Sequence, residues 1–297
     1  MFPHVNTKDP QAVAAVAQAT LRQAHPQANT AVIDGLFRDI ENMFCGRYHD
    51  YLPLDTKYHD CEHTLQAALC MLELIAGRTR VGALPTLTAR QIEIGIAAVL
   101  LHDTGYLKLR SDHHGTGAKF TFVHVIRSCA FAASYLPTVG FTNEEVDIVE
   151  NAIRCTGPRS DIKHLRFANE SESFLGCALA SADLLGQMAA HDYVDELPFL
   201  YAEFEESDNF FNVPQEKRQF RSPSELIAKT PAFWEHFVLP RLNGDYGGVY
   251  RFLADPYPTG PNAYLEAVQR NIARTEEFAR RFGADSSPVA SPAAGVR

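Results

Sequence analysis

The spacing of apolar and polar residues along this chain predicts helices almost throughout and no strands. In the segment TARQIEIGIAAVLLHD, Ile92, Ile96 and Val99 recur at helical spacing. Thr88 and Gln91 stand before them in the arrangement of a capping box, which marks where a helix begins. Comparable patterns predict further helices over residues 11–24, 28–44, 59–77, 120–136, 142–155, 171–190, 192–206, 222–238 and 262–282.

Two more helix starts carry the same signature. Thr142 and Glu145 form a second predicted capping box. Ser222 and Glu225 form a third, and Pro223 occupies the first helical position, where a missing N–H costs nothing.

Loops rich in Pro, Gly, Asp or Asn separate these helices, and the pattern shows neither a fixed repeat nor a linker between two halves. We therefore predict a single all-α domain over residues 1–283. Residues 284–297 are dominated by small residues and proline, which predicts a disordered tail.

Composition and charge are those of an ordinary globular protein. With 297 residues, of which 46% are hydrophobic, the chain can bury a large core. The net charge of -9 and the absence of any Lys/Arg run argue against extended nucleic acid and anionic membranes as partners. No run of about 18 apolar residues and no secretory signal pattern is present, so we expect a cytoplasmic protein without a membrane partner. The six cysteines are scattered, which is typical of reduced thiols.

Several polar residues stand in segments that are otherwise apolar. His59 and His63 lie four apart where the apolar helix of KYHDCEHTLQAALC begins. His102 and Asp103 end the apolar segment AAVLLHDTGY, and Asp183 is the single charged residue of FLGCALASADLLGQMAA. A buried carboxylate is costly without a partner, so Asp183 must be paired, protonated, exposed or bound to a metal.

Taken alone, each of these residues has an ordinary explanation. A histidine at a helix end is most often a cap or a satisfied core residue, and a lone helical Asp is usually solvated. Their order along the chain changes the interpretation. A histidine, a His-Asp pair and an Asp on three separate helices supply the side chains that bind divalent metals.

This order, H…HD…D, resembles that of the HD-domain superfamily of metal-dependent phosphohydrolases over about residues 55–190. Within that superfamily, YHDCEHTLQA is similar to the Y-H-N-x-x-H-x-x-x-V signature of cyclic-nucleotide phosphodiesterases, with Asp60 where that family has Asn. The segment HHGTGAKF, which begins at His113, is similar to the H-x-G-T-N-N-A-F segment of the same family. It lacks both asparagines and begins ten residues after Asp103 rather than a few.

The resemblance implies a fold and a metal site. The fold is an HD-domain helical bundle with a metal-binding core over about residues 55–190 and a C-terminal helical extension over about 191–283. The cofactor is one or two divalent metal ions drawn from Zn, Mn, Fe, Co and Mg. The implied metal ligands are His63, His102, Asp103 and Asp183, of which Asp103 is able to bridge two ions.

The resemblance also implies a reaction, the hydrolysis of a small phosphorylated substrate. A nucleotide, a cyclic nucleotide and another small phosphoester all suit such a site. Two ions would neutralise the phosphate, lower the pKa of a water and stabilise the leaving oxygen. If the helix begins at residue 59, His59 lies one turn before His63 on the same face, about 6 Å away. His59 is accordingly predicted to protonate the leaving alkoxide as general acid.

Three further residues stay open as metal or substrate residues. His124 lies where HD enzymes with additional histidines often place a ligand, although Cys155 stands where such proteins usually supply another histidine. His113 begins the second segment of resemblance, and Lys108 follows Asp103 closely enough to contact a phosphate.

Two other functions stay open as well. One is an HD-type di-iron oxygenase, which requires the additional histidines. The other is a non-catalytic HD module that binds a nucleotide or a metal. The presence of His59 favours an enzyme, because a purely structural metal site has no use for a general acid.

Overall fold

The computed structural model describes residues 5–282, which form helices connected by loops. Within this range, strand pairing is limited to one isolated bridge between Tyr51 and Leu109, and the all-α prediction is confirmed. The tail predicted for residues 284–297 lies outside the described residues. The α-helices are α1 (Pro10–Ala24), α2 (Ala31–Phe44), α3 (Cys61–Arg80), α4 (Ala89–Leu101), α5 (His124–Tyr135), α6 (Asn143–Arg154), α7 (Glu170–Met188), α8 (Tyr193–Phe210), α9 (Pro223–Phe233), α10 (Leu239–Asn243) and α11 (Ala263–Phe282).

The predicted helix starts are present where the capping residues stand. The side chains of Thr88 and Thr142 each accept a hydrogen bond from the backbone three residues later, and both capping boxes are complete. The third is only half formed. Ser222 caps α9, but the Glu225 carboxylate accepts from the Arg221 N–H at 2.6 Å rather than reaching back to the cap residue.

Helix α3 begins two residues later than the sequence predicted. Asp60 has an extended backbone, and its Oδ1 accepts from the His63 N–H at 2.9 Å, so Asp60 is the N-cap. His59 therefore lies before the helix. The prediction that His59 and His63 occupy successive turns of one helix is wrong.

Helices α3 and α7 lie side by side at the centre of the fold. Nearly every residue of α3 from His63 to Arg78 is buried, and α1 and α4 pack against the same helix. The two central helices approach each other closely at Gly186. A Cβ at that position would lie 2.9 Å from the Gln66 carbonyl oxygen and 3.0 Å from the Ala67 Cα. This contact places the turn before Gly186, which carries Asp183, beside the first turn of α3.

The C-terminal helices pack directly on this centre. Helix α11 contacts α7, α8 and α9, and α8 contacts the short helical turn Gly117–Phe120. Helix α8 thereby also approaches the segment that precedes α3, where Glu203 contacts the backbone of residues 57–59.

Among residues 5–282, no single helix is long and apolar enough to cross a membrane. Only α7 and α8 taken together, with a bend of 112° between them, have the length and composition of a broken span.

Candidate metal centre

Four residues from three parts of the chain converge on one point. The His63 Nε2 lies 3.3 Å from Asp103 Oδ2 and 3.3 Å from Asp183 Oδ1. The His102 Nε2 lies 3.3 Å from Asp103 Oδ2 and 3.6 Å from Asp183 Oδ1. These are the four residues that the resemblance implied as metal ligands.

Local structure explains how each side chain reaches this point. His63 lies in the first turn of α3. His102 caps the C-terminus of α4 and Asp103 follows it, so the pair lies where the chain leaves the helix and turns through Thr104–Tyr106. Asp183 comes from the middle of α7.

Among residues 5–282, three of the four converging atoms have no hydrogen-bond partner. His63 Nε2, His102 Nε2 and Asp103 Oδ2 are buried, and the short distances between them lack hydrogen-bond geometry. Orphaned buried polar atoms are rare in native proteins, because each costs about 1–3 kcal/mol. A divalent cation would satisfy all three atoms at once, and imidazole nitrogens with carboxylates are a ligand set that transition metals accept. Two groups of three have ligand atoms close enough to share one ion, namely His63–His102–Asp183 and His59–His63–Asp103.

The tautomer of His102 fits a metal ligand. Its Nδ1 lies 2.7 Å from the Val99 carbonyl oxygen, so this nitrogen carries the proton and donates it to the backbone. The Nε2 then presents its lone pair to Asp103 and Asp183. Such backbone bonds commonly orient metal-binding histidines.

The electrostatics of the metal-free cluster show strong mutual stabilisation. Burial lowers the pKa of His63, but the close Asp103 and Asp183 carboxylates outweigh it and raise this pKa to about 10. The pKa of Asp103 lies well below its ordinary value, because the neighbouring imidazoles outweigh the effect of burial. The pKa of Asp183 is lowered for the same reason. The carboxylates are thus ionised at neutral pH, as a metal site requires.

His59 lies beside the cluster but is held by a different part of the chain. Its Nδ1 donates to Glu203 Oε2 at 2.5 Å, and its ring centroid is 5.3 Å from that of His63. With a side chain 14% exposed, His59 is more accessible than His63, at 4%. The proton on Nδ1 leaves Nε2 as the nitrogen that is available to a substrate.

Glu203, on α8, is a site residue that sequence reasoning missed. Its Oε1 accepts from the backbone N–H groups of Lys57 at 2.9 Å, Tyr58 at 2.7 Å and His59 at 3.3 Å. The pKa of Glu203 is lowered, because the His59 imidazole and these N–H groups outweigh the effect of burial. In the sequence YAEFEES it stands among other acidic residues, and no local signal distinguishes it from the exposed Glu205.

His124 approaches the other carboxylate oxygen of Asp103, Oδ1, rather than the Oδ2 that faces His63 and His102. Its Nε2 is 3.7 Å from Asp103 Oδ1, and its Nδ1 donates to the Thr121 carbonyl oxygen at 2.7 Å. Burial lowers the pKa of His124, so its imidazole is neutral at physiological pH. The Tyr106 ring stacks on His124 and on His59, with centroid distances of 4.9 and 4.7 Å.

The other open residues lie outside the cluster. The Lys108 ammonium is buried and forms an ion pair with Asp55 at 2.9 Å, and it also donates to the Gly115 carbonyl oxygen. It therefore fixes the loop that follows it, and its charge is already compensated. His113 is exposed in the same loop.

Cys155 does not stand in for a missing ligand. Its thiol donates to the Asn151 carbonyl oxygen at 3.3 Å and lies against Gly176, because a Cβ at Gly176 would be 2.8 Å from its sulfur. Gly176 is seven residues before Asp183, or about 10 Å along the helix axis. The cysteine therefore faces a different part of the core.

Residues 48–246 match the model of a protein family described as Npun_R2479-like. The chain belongs to the Npun_R2479-like family. The matched range contains the four converging residues together with His59, His124 and Glu203, and it ends before α11. None of the curated proteins matches the chain.

Proposed function

We propose that this member of the Npun_R2479-like family is a metal-dependent phosphohydrolase of the HD type that acts on a small phosphoester, such as a nucleotide or a cyclic nucleotide. The observation that carries the proposal is the set of buried, unpartnered atoms His63 Nε2, His102 Nε2 and Asp103 Oδ2, with Asp183 beside them and a histidine–carboxylate pair at the edge. The order of these residues along the chain resembles that of the HD superfamily.

His63, His102, Asp103 and Asp183 are the residues that would hold a divalent cation. A cation at such a site supplies positive charge for phosphate oxygens and makes a water more acidic. Asp103 has a second oxygen, Oδ1, which faces the neutral imidazole of His124. His124 and Asp103 Oδ1 are accordingly the residues that would contribute to a second ion.

His59 is the proposed general acid. Glu203 accepts from Nδ1–H and stabilises the imidazolium form of His59, whose Nε2–H would give its proton to the leaving alkoxide and leave a neutral imidazole. Glu203 in turn is fixed by backbone N–H groups of the segment that carries His59. The acid and its carboxylate partner form one rigid unit.

Metal analysis of the purified protein, followed by a phosphoester panel with Mn²⁺, Co²⁺, Mg²⁺ and Zn²⁺, tests the proposal. The variants His59→Ala and His63→Ala separate catalysis from metal binding. We expect His59→Ala to keep its metal and lose about 10²–10⁴-fold in kcat. His63→Ala should lose the metal. His191→Ala, a histidine with an 85% exposed side chain, is the matched control.

Leaving-group acidity sharpens this test. A nitrophenyl ester needs little protonation, so its turnover should be much less sensitive to His59→Ala than that of an alkyl phosphoester. Equal losses on both substrates would mean that His59 positions the substrate instead. A wild-type protein that binds metal and nucleotide but hydrolyses neither ester would exclude the enzyme and leave the binding module.

A further inference from the structure

Beside the metal centre, the half-buried Gln187 and the buried Tyr58 extend a chain of hydrogen bonds from Asp183. The Gln187 Nε2 donates to Asp183 Oδ1 at 3.3 Å and to the Asp183 carbonyl oxygen at 2.9 Å. The Gln187 Oε1 accepts from the Tyr58 hydroxyl at 2.7 Å. We infer that the Tyr58–Gln187 pair positions the Asp183 carboxylate for metal binding, although neither residue reaches the metal point itself. This inference rests on the metal centre of the proposed function and not on its reaction.

The oxygen that Gln187 contacts is the one that matters. Asp183 Oδ1 is also the oxygen that lies 3.3 Å from His63 Nε2 and 3.6 Å from His102 Nε2. An Asp side chain on a helix can rotate this oxygen away from the centre, and a donor at Oδ1 restricts that rotation. Side chains that hydrogen-bond to a metal ligand hold it in the orientation for binding, and their loss commonly lowers metal affinity by about 10–100-fold.

The Tyr58 hydroxyl holds the Gln187 side chain in place from a distant part of the chain. Gln187 is four residues after Asp183 on the same helix and would otherwise be free to turn toward solvent. The Tyr58 hydroxyl comes from the segment before α3 and fixes the orientation of the amide. Burial raises the pKa of the Tyr58 phenol well above its ordinary value, so this hydroxyl stays a donor.

Tyr58 also connects the two halves of the site. Its backbone N–H donates to Glu203 Oε1 at 2.7 Å, and its ring lies 5.8 Å from the His63 ring, centroid to centroid. With Gln187 and His63 it forms one wall of a cleft of about 430 Å³. The residue therefore contacts the carboxylate that holds His59 and the amide that holds Asp183.

The affinity of the metal-free protein for Zn²⁺ and Mn²⁺, measured by competition with a chelating dye, tests this inference. We expect Tyr58→Phe and Gln187→Leu each to raise the Kd by about 10–100-fold. The Kd of the double variant should be about equal to that of the weaker-binding single variant, because both changes break the same hydrogen-bonded connection to Asp183. Tyr193→Phe and Gln66→Leu change residues that line the same cleft but do not take part in the Gln187–Asp183 hydrogen bond, and they should leave the Kd unchanged.

A Kd within twofold of the wild type in folded Tyr58→Phe protein would overturn the inference. Additive losses in the double variant would also overturn it. If Gln187→Leu does not fold, Tyr58→Phe decides alone, since it removes a single oxygen. A purely structural role would lower the unfolding temperature of the metal-free variants without changing the Kd of the folded fraction. The measurement is metal binding and not turnover. A wild-type protein that binds metal without hydrolysing esters would therefore contradict the proposed function and leave this inference intact. A wild-type protein that binds no metal would overturn both.

Discussion

Replacing Glu203 by Gln isolates the role of the carboxylate that contacts His59. The change keeps the size of the side chain and removes its charge. Oε1 accepts from three backbone N–H groups, so the oxygen of the new amide must stay on that side. The amide NH₂ is then directed at His59 Nδ1, which in the native protein donates to Oε2 across 2.5 Å. Two donors cannot share that contact, so His59 must change tautomer or move.

The magnitude follows from the bond that is lost. A hydrogen bond to a charged group contributes about 1.5–3 kcal/mol. Each 1.36 kcal/mol in a barrier corresponds to about a tenfold change in rate. Glu203→Gln should therefore lower kcat for an alkyl phosphoester by about 10–150-fold. The metal content should stay close to that of the wild type, because the Glu203 carboxylate is hydrogen-bonded to His59 and to the backbone of residues 57–59.

The assay compares kcat on an alkyl phosphoester and on a nitrophenyl ester after metal loading. The loss should be concentrated on the alkyl ester, since only that leaving group depends on the proton from His59. Glu205→Gln changes an exposed carboxylate two residues away on the same helix and serves as the control. A kcat within twofold of the wild type on both esters would refute the reasoning. Loss of metal in Glu203→Gln would instead show that Glu203 supports the centre itself.

Three more predictions concern the centre and its frame. Asp103→Ala should lose metal and turnover together, since this carboxylate faces both imidazoles of the centre, and full turnover with retained metal would contradict its assignment. The pKa of His63 is raised to about 10, so a metal must displace a proton from this imidazole when it binds. The apparent metal affinity, measured with a chelating dye, should therefore rise by about tenfold per pH unit from pH 6.5 to 8.5. An affinity independent of pH would contradict this prediction. Gly105→Ala should lower the free energy of unfolding by about 1–3 kcal/mol, because its Cβ would overlap the His124 carbonyl. Gly35→Ala, whose Cβ would have its nearest neighbour at 3.7 Å, should leave the free energy of unfolding unchanged. Equal denaturation midpoints for Gly105→Ala and the wild type would show that the overlap is relieved.

The sequence alone determined the helices and the members of the metal-type cluster. Helix starts depend on capping residues a few positions apart, so Thr88 and Thr142 were readable from local spacing. A charged residue within an apolar helix is also a local signal, because burial makes it costly without a partner. That signal distinguishes Asp183 and the His102–Asp103 pair from the apolar residues around them without reference to any tertiary contact.

Only the tertiary structure decided how the cluster is supported. Glu203 stands in an acidic segment that resembles a solvated helix face. It is buried because α8 packs against residues 57–59 at this position. The position of His59 was likewise decided by the cap at Asp60, which makes helix α3 begin at Cys61 and leaves His59 in the preceding segment, where its imidazole contacts Glu203. The Tyr58–Gln187 contact joins residues 129 positions apart. Helical spacing reports only neighbours within a few residues, whereas the partners of a buried charge depend on which distant surfaces close over it.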